Sequence, residues 1–240
     1  MYEERVYRNQ MLTKDLVQFN VTEFESDLQI FAQSNLQSEA RNEIKKYRKI
    51  LKDYIKEHPT FLTSLVPIKA SKNAPEIIKH MCFAADLAGV GPMAAVAGAV
   101  SHYVGLSLLS KTKEVILENG GDIYLKTDKE RDILIYAGSS HFSNKIALRI
   151  PSSAEGLGVC TSSGTIGHSL SFGSCDAVVV LSKDTLIADA AATSIGNVVK
   201  SPNHITEGLN FAKSILGVEG VVIIIGSKMA AWGKVNLVRP

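Results

Sequence analysis

The sequence predicts an α+β fold in which helices and antiparallel strands are mixed. Apolar and polar residues alternate from Asp15 to Val21 and from Asp27 to Ala32, as in a half-buried hairpin. Helical patterns follow, and short apolar runs return in the second half of the chain. Because these helices and strands do not alternate regularly, an α+β fold is favoured over a doubly wound parallel sheet.

Two amphipathic helices follow the first strands. Apolar residues recur every three or four positions from Leu36 to Ile55, and Pro59 ends this helix. A second helix begins near Pro75, a residue that suits a first turn, and its apolar stripe runs from Ile77 to Ala85. Both stripes indicate ordinary core packing.

The remaining elements are short strands and two more helices. Asp184 suits the N-cap of the first of these helices, since its side chain can accept hydrogen bonds from unpaired N–H groups. We predict a hairpin or a glycine-bent strand within Glu114 to Lys126, strands at Asp132 to Tyr136, Ile146 to Ile150, Cys175 to Ser182 and Val221 to Ile225, a helix over Thr206 to Leu216, and a last strand from Trp232 toward Val238.

Composition excludes several classes of protein. The chain has 240 residues, 45% of them hydrophobic, which is enough for one domain over residues 1–240 or for two closely packed α+β lobes. A net charge of +2 argues against a general electrostatic grip on nucleic acid or on a membrane. The start of the chain is polar and no apolar run is long enough to span a bilayer, so we expect a cytoplasmic protein. Its three cysteines form no CxxC pair, so neither a disulfide framework nor a zinc site is suggested.

A carboxylate and a hydroxyl share one face of the predicted alanine-rich helix. Asp189 and Thr193 lie four residues apart, which places them on the same side. Such oxygens can hold a hard cation such as Mg²⁺. The alternative is structural, because an Asp near a helix start interacts with the dipole and a helical Thr often bonds to its own backbone.

Two glycine turns are candidate ligand contacts. Gly89, Gly91 and Met93 lie between two helical stretches, and the second stretch could present N–H groups to an anion. Close packing of small residues is the alternative. The second turn is the run Asn119, Gly120, Gly121 and Asp122. Asn-Gly alone would satisfy a hairpin turn, so the second glycine and the acid are less expected. Asp122 can orient a ribose or base, or cap the turn.

A loop dense in hydroxyl groups follows. Its candidate ligand-binding residues are Thr161, Ser162, Ser163, Gly164, Thr165 and His168. A nucleophile, Cys160 or Ser163 with His168 as base, is one alternative. Another is that Cys160 is a small buried apolar residue and that the loop binds a polar cofactor. The other histidines, His80, His102, His141 and His204, have no ligand-like spacing and are interpreted as structural or surface residues.

A resemblance to a known family extends over nearly the whole chain. It rests on the runs VGPMAAVAGAV, ENGGDI, GVCTSSGTIGHSLSFG and ADAAATSIGN. Through them the sequence resembles an ApbE-like family related to the FAD:protein FMN transferases. The resemblance implies an ApbE-type fold, with antiparallel sheets flanked by helices and a cleft that holds FAD diphosphate with Mg²⁺. In those transferases an aspartate and a threonine of an ADALAT-like helix bind the metal with a backbone carbonyl. Asp189 and Thr193 match the first two positions, and Gly91 falls near the third.

The chain also departs from the transferases. Where they have a lysine, a glycine and then an aspartate, it has Pro92, Met93 and Ala97. Their HIxDP-like segment has no clear counterpart, although His168 lies in the same general region. The resemblance therefore implies a flavin- or nucleotide-type diphosphate ligand with Mg²⁺, and transfer or hydrolysis at a phosphoanhydride if the protein is catalytic. The alternatives are a binding or assembly protein without turnover and a Cys or Ser nucleophile transferase. A homodimer is expected from the small-residue helices and the strand edges.

Overall fold

The central element of the fold is a large antiparallel sheet of eight strands. The computed structural model describes residues 15–165 and 172–240. The strands of the large sheet are β1 (Val17–Glu23), β2 (Ser26–Ala32), β3 (Val115–Asn119), β4 (Asp122–Thr127), β7 (Ser153–Ser162), β8 (Ala177–Ser182), β9 (Gly220–Ile225) and β10 (Lys228–Gly233). They follow this order across the sheet, and every neighbouring pair is antiparallel.

A smaller sheet of three strands covers part of one face. It consists of β5 (Arg131–Leu134), β6 (Ala147–Ile150) and β11 (Leu237–Val238), with β6 in the centre. The chain enters it between β4 and β7 and returns to it at the end. Its position explains why β8 is buried along its whole length, since Val179 packs towards the small sheet and Val180 towards the helices.

Six α-helices are described, and the long ones lie on the opposite face of the large sheet. They are α1 (Gln37–Glu57), α2 (Thr60–Thr63), α3 (Glu76–Ala88), α4 (Val96–Leu108), α5 (Thr185–Val198) and α6 (Ile205–Ser214), with 3-10 turns at Pro92–Ala95 and Pro202–His204. Residues of α1, α3 and α4 form one core with β1 to β4, and α5 and α6 form a second with β8 and β9. Helix α5 contributes to both cores and so joins the two halves of the helical layer.

The α+β class and the antiparallel sheets that the sequence predicts are confirmed. Two details differ. The hydroxyl-rich segment begins as a strand, since β7 runs through Ser162 in the middle of the sheet; its glycines and serines hide a strand pattern. The predicted last strand is two strands in different sheets, separated after Gly233, whose φ of 86° turns the chain.

Within residues 15–165 and 172–240, no single helix is long and apolar enough to cross a membrane. The pair Glu76–Ala88 and Pro92–Leu108 has that length and composition only when joined, and it is bent by 105° at the turn between its members.

Candidate functional site

Helix α5 supports the candidate site, and Asp184 sets where it begins. The Asp184 Oδ1 atom accepts hydrogen bonds from the N–H groups of Leu186 at 2.9 Å and Ile187 at 3.3 Å, as an N-cap should. The alanines that follow are fully buried, so α5 packs closely against β7 and β8. At Gly158 of β7 an added Cβ would lie 2.5 Å from the Cα of Thr185, so the strand must be glycine here.

Asp189 lies one turn into α5 and contacts the start of α4. Its side chain is 8% exposed, and Oδ2 accepts the backbone N–H of Gly98 at 2.7 Å. The N–H of Ala97 also stabilises the carboxylate. These donors belong to the first turn of α4, where N–H groups have no partner within the helix. The sequence left open whether these N–H groups face an anion or only closely packed residues, and in the structure they face the Asp189 carboxylate.

Asp122 enters the same site from the β3–β4 hairpin. Asn119 pairs with Asp122, so Gly120 and Gly121 form a two-residue loop with φ values of 70° and 100°. Such a loop requires a positive φ at both positions, which explains both glycines without a ligand. The Asn119 amide donates to the Ala97 carbonyl at 3.2 Å and so fixes the hairpin to the start of α4.

The carboxyl groups of Asp122 and Asp189 lie within hydrogen-bonding reach of each other. Asp122 is 6% exposed, and among the described residues no donor reaches its Oδ1 atom. Burial, together with the charge of Asp189, raises the pKa of Asp122 well above its usual value. Burial likewise raises the pKa of Asp189 to about 7, although the N–H donors of α4 oppose this rise. Two buried carboxylates in contact need a shared proton or a cation between them.

Cys160 lies beside this pair as the cross-strand partner of Asp122. Its thiol is fully buried, lies 3.4 Å from the carbonyl oxygen of Thr185 and is within reach of the Asp122 carboxyl group. Burial and the two carboxylates raise the pKa of this thiol well above its usual value. Since a thiolate is the nucleophilic form, the surroundings of Cys160 favour the interpretation of a small buried residue over that of a nucleophile.

The turn at Gly89, Gly91 and Met93 lies against α5, but its glycines have packing reasons. Gly89 ends α3 with a φ of 70°, the usual role of a C-terminal glycine. At Gly91 an added Cβ would lie 1.8 Å from the carbonyl oxygen of Ser64, so the chain passes too closely for a side chain. The Gly91 carbonyl accepts the N–H of Ala94 at 3.1 Å. The hydroxyl of Ser194 on α5 donates to the Ala88 carbonyl at 2.5 Å, which holds the turn on that helix.

Thr193 and the hydroxyl loop continue the site along α5. Asp189, Thr193 and Gly196 are spaced for one helix face, and Ser162 of β7 lies next to Gly196. Thr161, Ser162 and Ser163 are half-buried, whereas Gly164 and Thr165 are exposed. The Thr165 N–H donates to Ser163 Oγ at 3.1 Å, and the Gly164 N–H donates to the Cys175 carbonyl at 2.9 Å. His168 lies outside the described residues, so its predicted roles stay predictions.

A second polar cluster, which the sequence did not indicate, lies at the N-terminus of α5. The Nε2 atom of His80 lies 2.6 Å from Asp184 Oδ2, and its Nδ1 lies 3.2 Å from the Tyr103 hydroxyl. His102 stacks edge-on against His80 and Tyr103, and burial lowers its pKa to about 4. The interpretation of these histidines as structural fits this geometry. Their proximity to each other could not be inferred from their spacing.

The donor set of the site suits one kind of cation. In the described part of the chain, no group of three or more His, Cys, Asp or Glu side chains is arranged to hold a metal. The remaining candidate ligands are the two carboxylates, the Thr193 hydroxyl and backbone carbonyls, all of which are oxygen atoms. Mg²⁺ prefers oxygen ligands, whereas Zn²⁺ sites in proteins are built mainly from Cys and His. The Oδ1 atom of Asp122, buried without a donor among the described residues, is consistent with such a cation.

Comparison with known proteins identifies the family. A family model described as AbpE bacteria matches residues 8–221. A UPF0280 protein of Methanococcus aeolicus is 46% identical over 201 residues, which cover 82% of this chain and 81% of that protein. A UPF0280 protein of Methanocaldococcus jannaschii is 41% identical over 197 residues, which cover 80% of each chain.

Solved structures share the fold at much lower identity. The apo form of the flavinyl transferase ApbE from Pseudomonas stutzeri has a TM-score of 0.56 and 13% identity, with 91% of this chain and 94% of that one covered. The ApbE protein of Thermotoga maritima has a TM-score of 0.63 and 12% identity, with 90% and 96% covered. The chain therefore belongs to the AbpE bacteria family together with these UPF0280 proteins, and it has the fold of the ApbE proteins.

Proposed function

We propose that this protein binds a flavin- or nucleotide-type diphosphate together with Mg²⁺ in the cleft around Asp189. One observation carries the proposal: two buried carboxylates, Asp122 and Asp189, meet where the β3–β4 hairpin, α4 and α5 converge. The matching positions of the transferases support it, because Asp189 and Thr193 stand where the resemblance implies metal ligands.

On electrostatic grounds, a cation should bind to the two carboxylates before a phosphate group approaches them. A diphosphate that approached the two carboxylates directly would meet like charge in a region of low dielectric, where repulsion is strong. A divalent cation reverses this, since it attracts both the carboxylates and the phosphate oxygens. The hydroxyl groups of Thr161, Ser162 and Ser163 would then line the ligand, because β7 ends beside the same face of α5.

If the protein is an enzyme, we expect transfer or hydrolysis at a phosphoanhydride. When bound, Mg²⁺ would supply positive charge that stabilises the negative charge developing on phosphate oxygens. The chain would contribute position: Asp189 is held by two N–H groups of α4, and Asp122 is held on a two-residue hairpin loop. Rigid support of this kind is what orientation of a reacting group requires.

A binding protein without turnover is the second candidate, and a specific observation favours it. Pro92, Met93 and Ala97 replace the lysine, glycine and aspartate of the transferases, so three side-chain positions differ beside the cleft. Ala97 presents only backbone groups there, and its carbonyl accepts the amide of Asn119. Such a protein would retain ligand affinity while losing groups that activate a substrate.

Isothermal titration calorimetry tests the proposal. FAD, FMN and ADP are titrated into the protein with and without Mg²⁺, and the titrations are repeated with Asp189→Asn. We expect FAD or ADP to bind more tightly with Mg²⁺, FMN to serve as the monophosphate control, and the substitution to remove the magnesium dependence. Absence of binding by every ligand in both conditions would contradict the proposal. Turnover with the preferred ligand then separates the two candidates.

A further inference from the structure

We propose that Asp122 is itself a ligand of the divalent cation, so that the cation joins the β3–β4 hairpin to α5. The inference rests on the cation of the proposed function and adds a ligand to it. The resemblance places metal ligands on α5 and in the turn after α3, whereas Asp122 comes from the sheet.

The Asp122 carboxyl group is buried and incompletely paired. The residue is 6% exposed, and no donor among the described residues reaches Oδ1. Near this carboxyl group lie the Cys160 thiol, which is a weak donor, and the Thr161 N–H, which donates to the Gly121 carbonyl oxygen at 3.2 Å. A buried carboxylate oxygen without a donor is costly, and coordination to a cation would satisfy it.

Two acidic side chains, Asp122 and Asp189, are buried together. The described groups that act most strongly on Asp122 and Asp189 are acids, a thiol and backbone N–H groups. Removing a charge from such a pair by an Asp→Asn change would preserve shape and relieve repulsion. A fold that needed only a polar residue at this place would be more stable with the amide. The carboxylate at position 122 is therefore better explained by a bound positive charge than by stability.

Asp122 is held rigidly by the hairpin and by its neighbours in the sheet. The Gly121 N–H donates to Glu118 Oε1 at 2.7 Å, and Ser101 Oγ lies 2.9 Å from the Asp122 carbonyl oxygen. The loop between β3 and β4 has only two residues, and Asp122 is paired on both sides within the sheet. A carboxylate fixed in this way is preorganised as a ligand, in contrast to one on a flexible loop.

The test measures Mn²⁺ binding by electron paramagnetic resonance without any nucleotide, with the intact chain and two variants. Asp122→Asn keeps the shape and removes the charged ligand. Glu118→Gln is the matched control, because it neutralises a buried acid of the same hairpin and keeps the acceptor of the Gly121 N–H. We expect Asp122→Asn to weaken Mn²⁺ binding at least about tenfold and Glu118→Gln to weaken it less than about threefold. Without Mn²⁺, the melting temperature of Asp122→Asn should equal or exceed that of the unchanged protein.

The outcomes separate this inference from the proposed function. Equal Mn²⁺ affinity of the unchanged protein and Asp122→Asn overturns the inference alone, and FAD or ADP binding with Mg²⁺ would be unaffected. Absence of Mn²⁺ binding by the unchanged protein overturns the inference together with the metal site. If Asp122→Asn does not fold, anomalous scattering from a Mn²⁺-soaked crystal of the unchanged protein decides. A cation within about 2.0–2.6 Å of an Asp122 oxygen supports the inference, and one bound to Asp189 but farther from Asp122 overturns it.

Discussion

Two polar clusters lie on the same helix and differ in how completely their groups are paired. At the N-terminus of α5, Asp184 accepts two backbone N–H groups on one oxygen and His80 on the other, and the second nitrogen of His80 reaches Tyr103. One turn further along, Asp189 faces Asp122, which retains an oxygen without a donor in the described part of the chain. The Asp184 cluster is partly exposed, whereas the carboxylate pair is buried.

This difference in pairing distinguishes a cluster that stabilises the fold from a pair of groups that can bind a ligand. Groups that satisfy one another stabilise the junction at which α3, α4 and α5 meet, and they leave little for a ligand to gain. A buried pair of carboxyl groups destabilises the fold unless a proton or a cation lies between them. The Asp184 cluster should therefore control stability, and the Asp122 and Asp189 pair should control binding.

The largest expected effect is on stability at the first cluster. Asp184→Ala removes the N-cap of α5 and the partner of His80, so we expect a loss of about 2–4 kcal/mol in the free energy of unfolding. Urea denaturation followed by circular dichroism measures it. Asp184→Asn is the control, since an amide oxygen can still cap the helix, and it should lose less.

Ligand binding by Asp184→Ala tests whether the two clusters have separate roles. Under conditions in which Asp184→Ala remains folded, we expect its Mg²⁺-dependent affinity for ADP to change little. If affinity disappeared while stability did not change, Asp184 would belong to the binding site and the two clusters would not be distinct.

The next effect tests how closely α4 approaches α5. At Gly98, an added Cβ would lie 2.7 Å from the Thr185 carbonyl oxygen and 2.8 Å from the Asp189 Cβ, so Gly98→Ala should cost about 1–3 kcal/mol and weaken ligand binding. Gly196→Ala is the matched control. It also lies inside a helix, but its nearest neighbour would be 3.8 Å away, so alanine should stabilise it by about 0.5–1 kcal/mol. Thermal melts of both variants give the sign. A stabilised Gly98→Ala would mean that the helices have room to separate.

The sequence predicted most elements because their periodicities are local. Alternation placed β1 and β2, and the three-to-four residue spacing placed α1 and α3 within one to three residues. Strand β7 was missed because it contains Gly156 and Gly158. Tyr124 lies too close to Gly156 for a side chain there, and α5 lies too close to Gly158. These glycines are required by tertiary contacts, which local patterns in a single sequence do not reveal.

The same distinction applies to the site. The motif NGGD and the pair Asp189 and Thr193 were visible as residue types, and the resemblance gave them an expected role. The contact between Asp122 and Asp189 joins residues 67 positions apart in the sequence. Gly98 gave no signal beyond its small size, because the N–H group that it donates to Asp189 belongs to every residue except proline.

A smaller effect concerns the dependence of stability on pH. The pKa of Asp189 rises from 3.8 to about 7 on folding. Between these values the folded protein keeps a proton that the unfolded chain has released, so stability falls as pH rises through this window and levels off above it. Asp189→Asn should remove this fall, so the stability of the variant relative to the unchanged protein should rise between pH 4 and pH 8.

The pH prediction is checked by urea denaturation at several pH values with EDTA present, so that no divalent cation compensates the charge. Parallel pH profiles of the two proteins would mean that Asp189 is charged in the fold throughout and that Asp122 carries the proton of the pair.

The smallest effect is expected at Cys160, which lies beside Asp122 and Asp189 but is not one of the proposed ligands of the cation. Cys160→Ala removes a weak donor, so we expect it to change Mg²⁺-dependent ADP affinity by less than about threefold and stability by about 1 kcal/mol. Because burial and the carboxylates raise the pKa of this thiol and no part of the residue is exposed, iodoacetamide should modify it at pH 8 only as fast as the protein unfolds. Mass spectrometry of the alkylated peptide over time measures this rate. Rapid modification of the folded protein that stopped turnover and spared ADP binding would instead make Cys160 a nucleophile, and its raised pKa would have to be lowered by the bound ligand.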